Sequence, residues 1–239
     1  MGRTIEAMAL SIDEIKDLLR YYHALGFESL PISPRPVVPQ APQVRDGGHK
    51  GCAGEDLEEL RVFIGDCQRC RLARQRTNLV FGSGSPDARL ICIGEAPGRE
   101  EDLQGLPFVG DAGMLLTRLL TKMGLKREDV YIANIIKCRP PMNRDPEEDE
   151  IAACRGFIER QIEIIRPQVI MTLGRIALQA LMNAPKLKIS AMRGRFLDFR
   201  GIPVMPTFHP AYLLRNPKDK VLTWADAQKV MAVLGRSHG

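Results

Sequence analysis

The chain predicts an α/β fold: a parallel sheet with helices covering both faces. Four short apolar runs carry the prediction, at 89–94, 130–136, 168–173 and 202–207. Helical patterns separate them, and that alternation is the mark of crossover units. The runs are continuous rather than alternating, as strands buried on both faces must be. No internal repeat is present.

Each element has a local reason. Ser11-Ile12-Asp13-Glu14 is a capping-box pattern, and Ile15, Leu18, Leu19, Tyr22 and Leu25 follow at helical spacing until Gly26. Residues 1–30 therefore read as an N-terminal amphipathic helix, and 31–54 as a Pro/Gly-rich linker holding Pro31, Pro34, Pro36, Pro39 and Pro42, then Gly47 and Gly48. The main domain spans 55–239. Leu57, Leu60 and Ile64 give a helix running into Cys67, and Arg89–Gly94 is the first buried strand. Asp111–Met123 is helical, with Leu115, Leu116, Leu119, Leu120 and Met123 inward and Gly124 closing it. Val130–Ile136 is the second strand. Asp145-Pro146-Glu147-Glu148 supplies a cap, a first-turn proline and an acidic start for a helix to Ile165. Gln168–Leu173 is the third strand and Gly174–Met182 a helix. Ile202–Thr207 is the fourth strand, after a short hairpin at Phe196–Gly201, and Thr223–Leu234 is the last helix.

Composition narrows the function classes. Of 239 residues, 44% are hydrophobic, enough for a core, but no apolar run is long enough to span a membrane. The N-terminus carries acids early and lacks the apolar stretch of a secretory signal. Six cysteines without a signal point to a reducing, cytoplasmic setting, where C-x-x-C favours metal or redox chemistry over structural disulfides. A net charge of +5 suits a polyanionic partner, and 5% aromatics exclude a broad single-strand stacking platform.

Cys67 and Cys70 form the C-x-x-C, and Cys138 and Cys154 follow at long separation. Four thiolates so spaced can close around one tetrahedral metal or one iron–sulfur cluster, and the chemistry alone does not choose. Cys52, in the linker, reads as a free thiol and Cys92, inside a strand, as a buried one.

Ligands of open parallel sheets bind beyond the carboxyl ends of the strands. There the first strand ends in Gly94-Glu95-Ala96-Pro97-Gly98, the second at Asn134 and the fourth at Phe208-His209-Pro210. Singly, Glu95 is a helix cap, Asn134 a loop tie and His209 a structural histidine as easily as a ligand. A carboxylate, an amide and an imidazole delivered together to one edge indicate a site. Gly94 and Gly98 let a ligand approach the turn's backbone. The turn is neither a dinucleotide fingerprint nor a P-loop.

With GEAPGREED, PFVGDAG, YIANIIKCRPP and HPAYLLRNP in that order, the chain resembles the family 4, iron–sulfur uracil-DNA glycosylases over roughly residues 56–235. The resemblance implies a three-layer α/β/α domain with a central four-stranded parallel sheet. It implies a [4Fe–4S] cluster on Cys67, Cys70, Cys138 and Cys154, and a uracil flipped out of DNA into the strand-end site. By position, Glu95 takes the place of the water-orienting acid and His209 that of the donor to uracil O2. Asn134 takes that of the base-reading amide, and Phe108 that of the ring stacking on uracil. Gly94 and Ala96 belong to the substrate-binding turn, Glu101 stands where a side chain blocks the thymine methyl, and Leu213 and Leu214 form the wedge entering the duplex. The implied activity is monofunctional base excision on uracil-containing DNA, by a monomer, with the N-terminal helix as a hook for a repair or replication partner.

One rival differs at named residues. The branch trapped covalently on uracil-DNA carries GEQPG and a reactive histidine in an inserted basic loop. This chain has Ala96 in the turn and IIKCRPP after Asn134. A non-catalytic iron–sulfur DNA-binding module is the second rival, and the N-terminal helix on its tether favours it. Finally, two basic runs are tied to the cluster, Arg71, Arg74 and Arg76 after the C-x-x-C and Arg139 and Arg144 after Cys138, and are expected to gather as a phosphate-binding edge; Arg193 and Arg195 precede the fourth strand.

Overall fold

The computed structural model describes residues 56–235. The expected N-terminal helix, the linker and Cys52 lie outside the described residues. Fourteen elements follow in order: α1 (Leu57–Ile64), β1 (Ser83–Gly84), β2 (Leu90–Gly94), α2 (Arg99–Gln104), α3 (Asp111–Lys122), β3 (Tyr131–Asn134), α4 (Glu148–Ile165), β4 (Val169–Leu173), α5 (Arg175–Met182), α6 (Ile189–Met192), β5 (Leu197–Phe199), β6 (Ile202–Thr207), α7 (Pro210–Arg215) and α8 (Lys220–Val233). Single 3₁₀ turns occur at Arg71–Arg74, Arg127–Asp129, Pro141–Asn143 and Pro217–Asp219.

The sheet has six strands in the order β1-β3-β2-β4-β6-β5 and is mixed, wider than the four parallel strands expected. The inner pairings β3/β2, β2/β4 and β4/β6 are parallel. Both edges are antiparallel additions: Ser83–Gly84 on β3, and the hairpin strand β5 on β6. A strand of two residues has no alternation to read, which is why β1 escapes the sequence pattern.

Alternate residues of the inner strands feed two cores, one on each face. Ile91, Ile93, Ala133, Ile170 and Val204 pack with Leu60 and Ile64 of α1, Phe157, Ile158 and Ile162 of α4, and Leu181 of α5. Leu90, Cys92, Ile132, Val169, Met171 and Met205 pack with Leu116 and Leu120 of α3 and with Ala227, Val230 and Met231 of α8. Burial on both faces explains the unbroken apolar runs.

Helix α4 begins later than the Asp145-Pro146 pattern suggests. Arg175 Nη2 donates to Asp145 Oδ2 at 2.6 Å, leaving Asp145 outside the helix. Glu147 caps instead, its backbone N–H donating to Glu150 Oε2 at 2.9 Å. Helix α8 starts earlier than expected, at Lys220. Two helices of six residues, α2 and α7, are too short to show a period and are additions to the reading.

Within the expected basic edge, Arg71, Arg76, Arg139 and Arg144 have partners inside the chain. Arg71 pairs with Glu147, Asp149 and Glu150, and Arg144 grips the Glu150 carboxylate with both terminal nitrogens at 2.8 and 2.7 Å. Arg76 is buried and bonds Asp66, Cys67 O and Cys138 Sγ, while Arg193 pairs with the buried Asp226. Arg139 Nε donates to Asn143 Oδ1 at 2.8 Å. These side chains fasten one segment to another, which charge pattern alone cannot distinguish from a phosphate-facing row.

Glu150 is the centre of that fastening. It has no solvent exposure, and the Arg144 contact with its neighbours lowers its pKa from 4.5 to about 2. A depressed carboxylate stabilises the fold above its ordinary pKa, and that support is lost as pH falls through about 2. Glu150→Gln is expected to lower the melting temperature at pH 7 by roughly 5 °C or more. The gap to the unsubstituted protein should shrink as pH falls below about 4, in thermal melts followed by circular dichroism. An equal gap at pH 2.5 and pH 7 would contradict the assignment.

Candidate active site

The inner parallel strands all deliver their carboxyl ends to one edge. Gly94 and Asn134 stand opposite each other there in the register of β2 and β3. The pairing continues past the strands, Ile135 N–H donating to Gly94 O at 2.9 Å and Ile136 N–H to Glu95 O at 3.2 Å. A Cβ built on Gly94 would lie 2.4 Å from Asn134 Oδ1 and 2.5 Å from Phe108 Cζ. The amide and the ring thus converge over a bare stretch of backbone, which only glycine provides.

Asn134 is 1% exposed, and its Oδ1 has no hydrogen-bond partner. A buried acceptor without a partner costs about 1–3 kcal/mol, so an orphan of this kind points to a missing ligand. The amide's backbone is held firmly: the buried Lys137 Nζ donates to Asn134 O at 2.9 Å and to Gln161 Oε1 at 2.7 Å. Gln161 in turn donates to Phe81 O at 3.0 Å and Tyr131 Oη at 2.9 Å.

His209 caps α7 and lies beside Phe108, ring centroids 5.8 Å apart. Gly174 makes the approach possible: its φ is +95°, and a Cβ there would sit 2.9 Å from His209 Cβ. Burial lowers the imidazole pKa to about 4, Arg215 adding to the effect and Glu101 opposing it. The ring is therefore neutral at pH 7. Its Nδ1 accepts the Ala211 N–H at 3.1 Å, so the single ring proton sits on Nε2. His209 is thereby fixed as a hydrogen-bond donor at Nε2.

Glu95 does not cap the next helix; Gly98 does. Burial pushes the Glu95 carboxyl up to about 7, Asp145 reinforcing the shift and Arg175 opposing it. It is a base with a pKa near neutrality. Ala96, next in the turn, is half-buried and packs against the α1/α4 core, leaving the turn's backbone to face the site.

The Glu101 carboxylate is engaged by backbone N–H groups on both sides. Its Oε2 accepts Gly98 N–H at 3.1 Å, and its Oε1 accepts Val109 N–H at 2.9 Å and Gly110 N–H at 3.0 Å. One carboxylate therefore ties the turn after β2 to the loop carrying Phe108. The expected leucine pair also divides: Leu213 is 3% exposed, against a cavity of about 170 Å³ between α3, α7 and α8, and Leu214 is 44% exposed. Only Leu214 projects. Another cavity of about 410 Å³ is lined by Glu163, Arg166, Phe199 and Arg200 at the opposite part of the domain from β3 in the strand order. The convergence of Asn134, Phe108 and His209 thus rests on contacts about Gly94 and Gly174, not on either of these voids.

The four cysteines share the α1/α4 core, Cys138 and Cys154 buried, Cys67 and Cys70 half-buried. No disulfide joins them. Among the described residues no three ligating groups are close enough to hold a metal ion as they stand. The donor set nonetheless suits a thiolate-bound centre. Three sulfurs already accept hydrogen bonds: Arg69 Nη1 to Cys67 Sγ at 3.3 Å, Arg76 Nη1 to Cys138 Sγ at 3.2 Å and Lys137 N–H to Cys154 Sγ at 3.3 Å. Such donors stabilise anionic sulfur. Burial pushes Cys154 up to about 12, a cost that a bound cationic centre would offset.

A parallel-centred α/β sheet with a carboxylate, an amide and an imidazole at its strand ends and an aromatic ring beside them has the arrangement of an α/β enzyme's ligand site. The family model described as the Uracil DNA glycosylase superfamily matches residues 81–229. The type-4 uracil-DNA glycosylase of Thermotoga maritima is 50% identical, over 69% of this chain and 88% of its own length. Those of Saccharolobus solfataricus and Archaeoglobus fulgidus are 47% and 42% identical, over 75% and 77% of this chain and 87% and 96% of theirs. The chain belongs to the type-4 uracil-DNA glycosylase family.

Arg127, Lys137, Gly113 and Gly174 also hold the site, none of them among the expected site residues. Lys137 alone left a signal: a lysine inside the apolar segment Ile135-Ile136-Lys137-Cys138.

Carboxyl titration followed by ¹³C NMR should show Glu95 with a midpoint near 7, moving down in Asp145→Asn, which removes a charge that raises it. Ring ¹⁵N shifts should show His209 neutral, with the proton on Nε2, until pH falls to about 4. A Glu95 midpoint below 5, or an imidazolium at pH 7, would refute this electrostatic picture.

Proposed function

We propose that the protein is a monofunctional uracil-DNA glycosylase of base-excision repair, which extrudes uracil from DNA and hydrolyses its N-glycosidic bond. The observation that carries this reading is the orphaned Asn134 Oδ1, buried against the Phe108 ring over Gly94. Uracil offers N3–H to that oxygen and O4 to the amide nitrogen. Cytosine reverses both groups and would leave each contact mismatched, at about 1–3 kcal/mol apiece. Phe108 supplies the stacking face.

The reaction follows from the neighbours. As the C1′–N1 bond breaks, its electron pair moves into the base and charge gathers on O2. The Nε2–H of His209 donates there, the kind of contact worth about 10²–10³ in rate. A water bonds to C1′, giving its proton to Glu95, whose ionised form also favours the cationic sugar. The uracil anion takes up a proton as it leaves, Glu95 gives up the one it gained, and free uracil and an abasic site result. No lysine attack is needed.

Leu214 is the wedge that enters the stack when the base leaves. Glu101 excludes the thymine methyl by fixing the turn and the Phe108 loop it joins. The inner parallel strands are the catalytic scaffold, and the two edge strands are additions. Cys67, Cys70, Cys138 and Cys154 would hold a [4Fe–4S] cluster, a group whose own chemistry is electron transfer, which hydrolysis does not use. Here the cysteines' task is to pin residues 67–70 to the segment that follows Asn134. The same reading makes the protein a cytoplasmic monomer, with residues 1–30 available to a repair or replication partner.

Incubation with a uracil-containing oligonucleotide should release uracil and leave an alkali-labile strand. Asn134→Ala and His209→Ala should each lower the single-turnover rate about 10²–10³-fold. Because Glu95 must be ionised, kcat/KM should rise with pH and level off above about 7. A profile flat from pH 5 to 8 would remove Glu95 from its role. A stable protein–DNA adduct on a denaturing gel would favour the covalently trapped alternative.

A further inference from the structure

Phe108 adopts φ +54°, a left-handed conformation that a bulky aromatic residue rarely takes. Such a backbone is strained and persists only where the surroundings over-determine it. Three restraints surround it. Arg127 Nη1 donates to Phe108 O at 3.0 Å and Nη2 to Pro107 O at 2.8 Å. The same Nη1 reaches Thr117 Oγ1 at 3.2 Å, and that hydroxyl donates to Gly113 O at 2.9 Å. Gly113 itself clears the space: a Cβ there would lie 1.8 Å from Phe108 O. On the other side Glu101 takes the amides of Val109 and Gly110. A cation holds the carbonyls and an anion holds the N–H groups of one four-residue loop.

We infer that Arg127 is a positioning residue for the reaction, holding the Phe108 ring at the stacking angle through the carbonyls of Pro107 and Phe108. The inference rests on the reading that Phe108 stacks on the extruded base. Its geometry is specific. The planar fork of a guanidinium spans two successive carbonyls, which a lysine ammonium cannot reproduce. Arg127 opens the 3₁₀ turn that leads directly into β3, whose far end is Asn134. It therefore ties the loop that stacks on the base to the strand that reads it. Without it, nothing draws the two carbonyls to the same side, and the loop relaxes toward an ordinary conformation while the ring tilts. A misplacement of about 1 Å can cost as much as 10²-fold in rate.

The test is a double-mutant cycle of Arg127→Met and Phe108→Leu, with single-turnover excision and oligonucleotide affinity measured separately. Arg127→Met alone should slow excision about 10–100-fold while DNA affinity changes less than about threefold. In the Phe108→Leu background the same substitution should add less than about threefold, because Arg127 acts only through that ring. Arg127→Lys, which keeps charge and bulk and guards against misfolding, should recover part of the loss. Independent, multiplying effects would overturn the inference, as would an Arg127→Lys enzyme that excises as fast as the unsubstituted one. If Phe108→Leu itself excises at the full rate, the stacking assignment fails instead. If the unsubstituted protein releases no uracil, the enzyme reading fails.

Discussion

The pairing of β2 with β3 is the constraint on which the site depends. Their register sets Gly94 beside Asn134, and the hydrogen bonds from Ile135 and Ile136 carry it into the turn that bears Glu95. A slip of one residue would send every side chain to the opposite face. The amide would enter the core and the apolar side chains would meet the ligand. Register is enforced because both faces are buried: Ile91 and Ile93 fit one core, Leu90 and Cys92 the other. Packing far from the reacting atoms thus decides where the functional groups stand.

Charge in this chain works mainly inward. Arg71, Arg76 and Arg144 bridge Asp66, Glu147, Asp149 and Glu150, and Arg193 meets Asp226. Arg71 and Arg193 join segments far apart in sequence, while Arg76 and Arg144 tie down nearby turns. Even the residues nearest the candidate ligand are governed this way. Glu101 and Arg127 bind backbone groups of one loop, and Lys137 holds the carbonyl of Asn134.

This explains what could be read in advance. The inner strands were visible because burial on both faces leaves an unbroken apolar signature. Glu95, Asn134 and His209 were visible because parallel strands send their carboxyl ends to a common edge. Phe108 carried no such mark; only its motif pointed to it. The edge strand Ser83–Gly84 and the six-residue helices were too short for a period. Arg71 and Arg144 looked like phosphate ligands since a charge run does not say which way it faces. Asp145 looked like a helix cap until Arg175 claimed it. Arg127 had no local signal, as the carbonyls it grips lie about twenty residues earlier in the chain.

The bare backbone at Gly94 restricts how this protein can change over generations. Even a methyl introduced there meets the outer atoms of Asn134 and Phe108 rather than backbone, so a chain that folds with it must shift those side chains. What it would lose is the alignment of those two groups. Selection acting on foldedness alone would pass such a variant, and only selection on chemistry would remove it. Preference for a different base must therefore arise from the walls, at positions such as Asn134 or Glu101, while the floor stays silent.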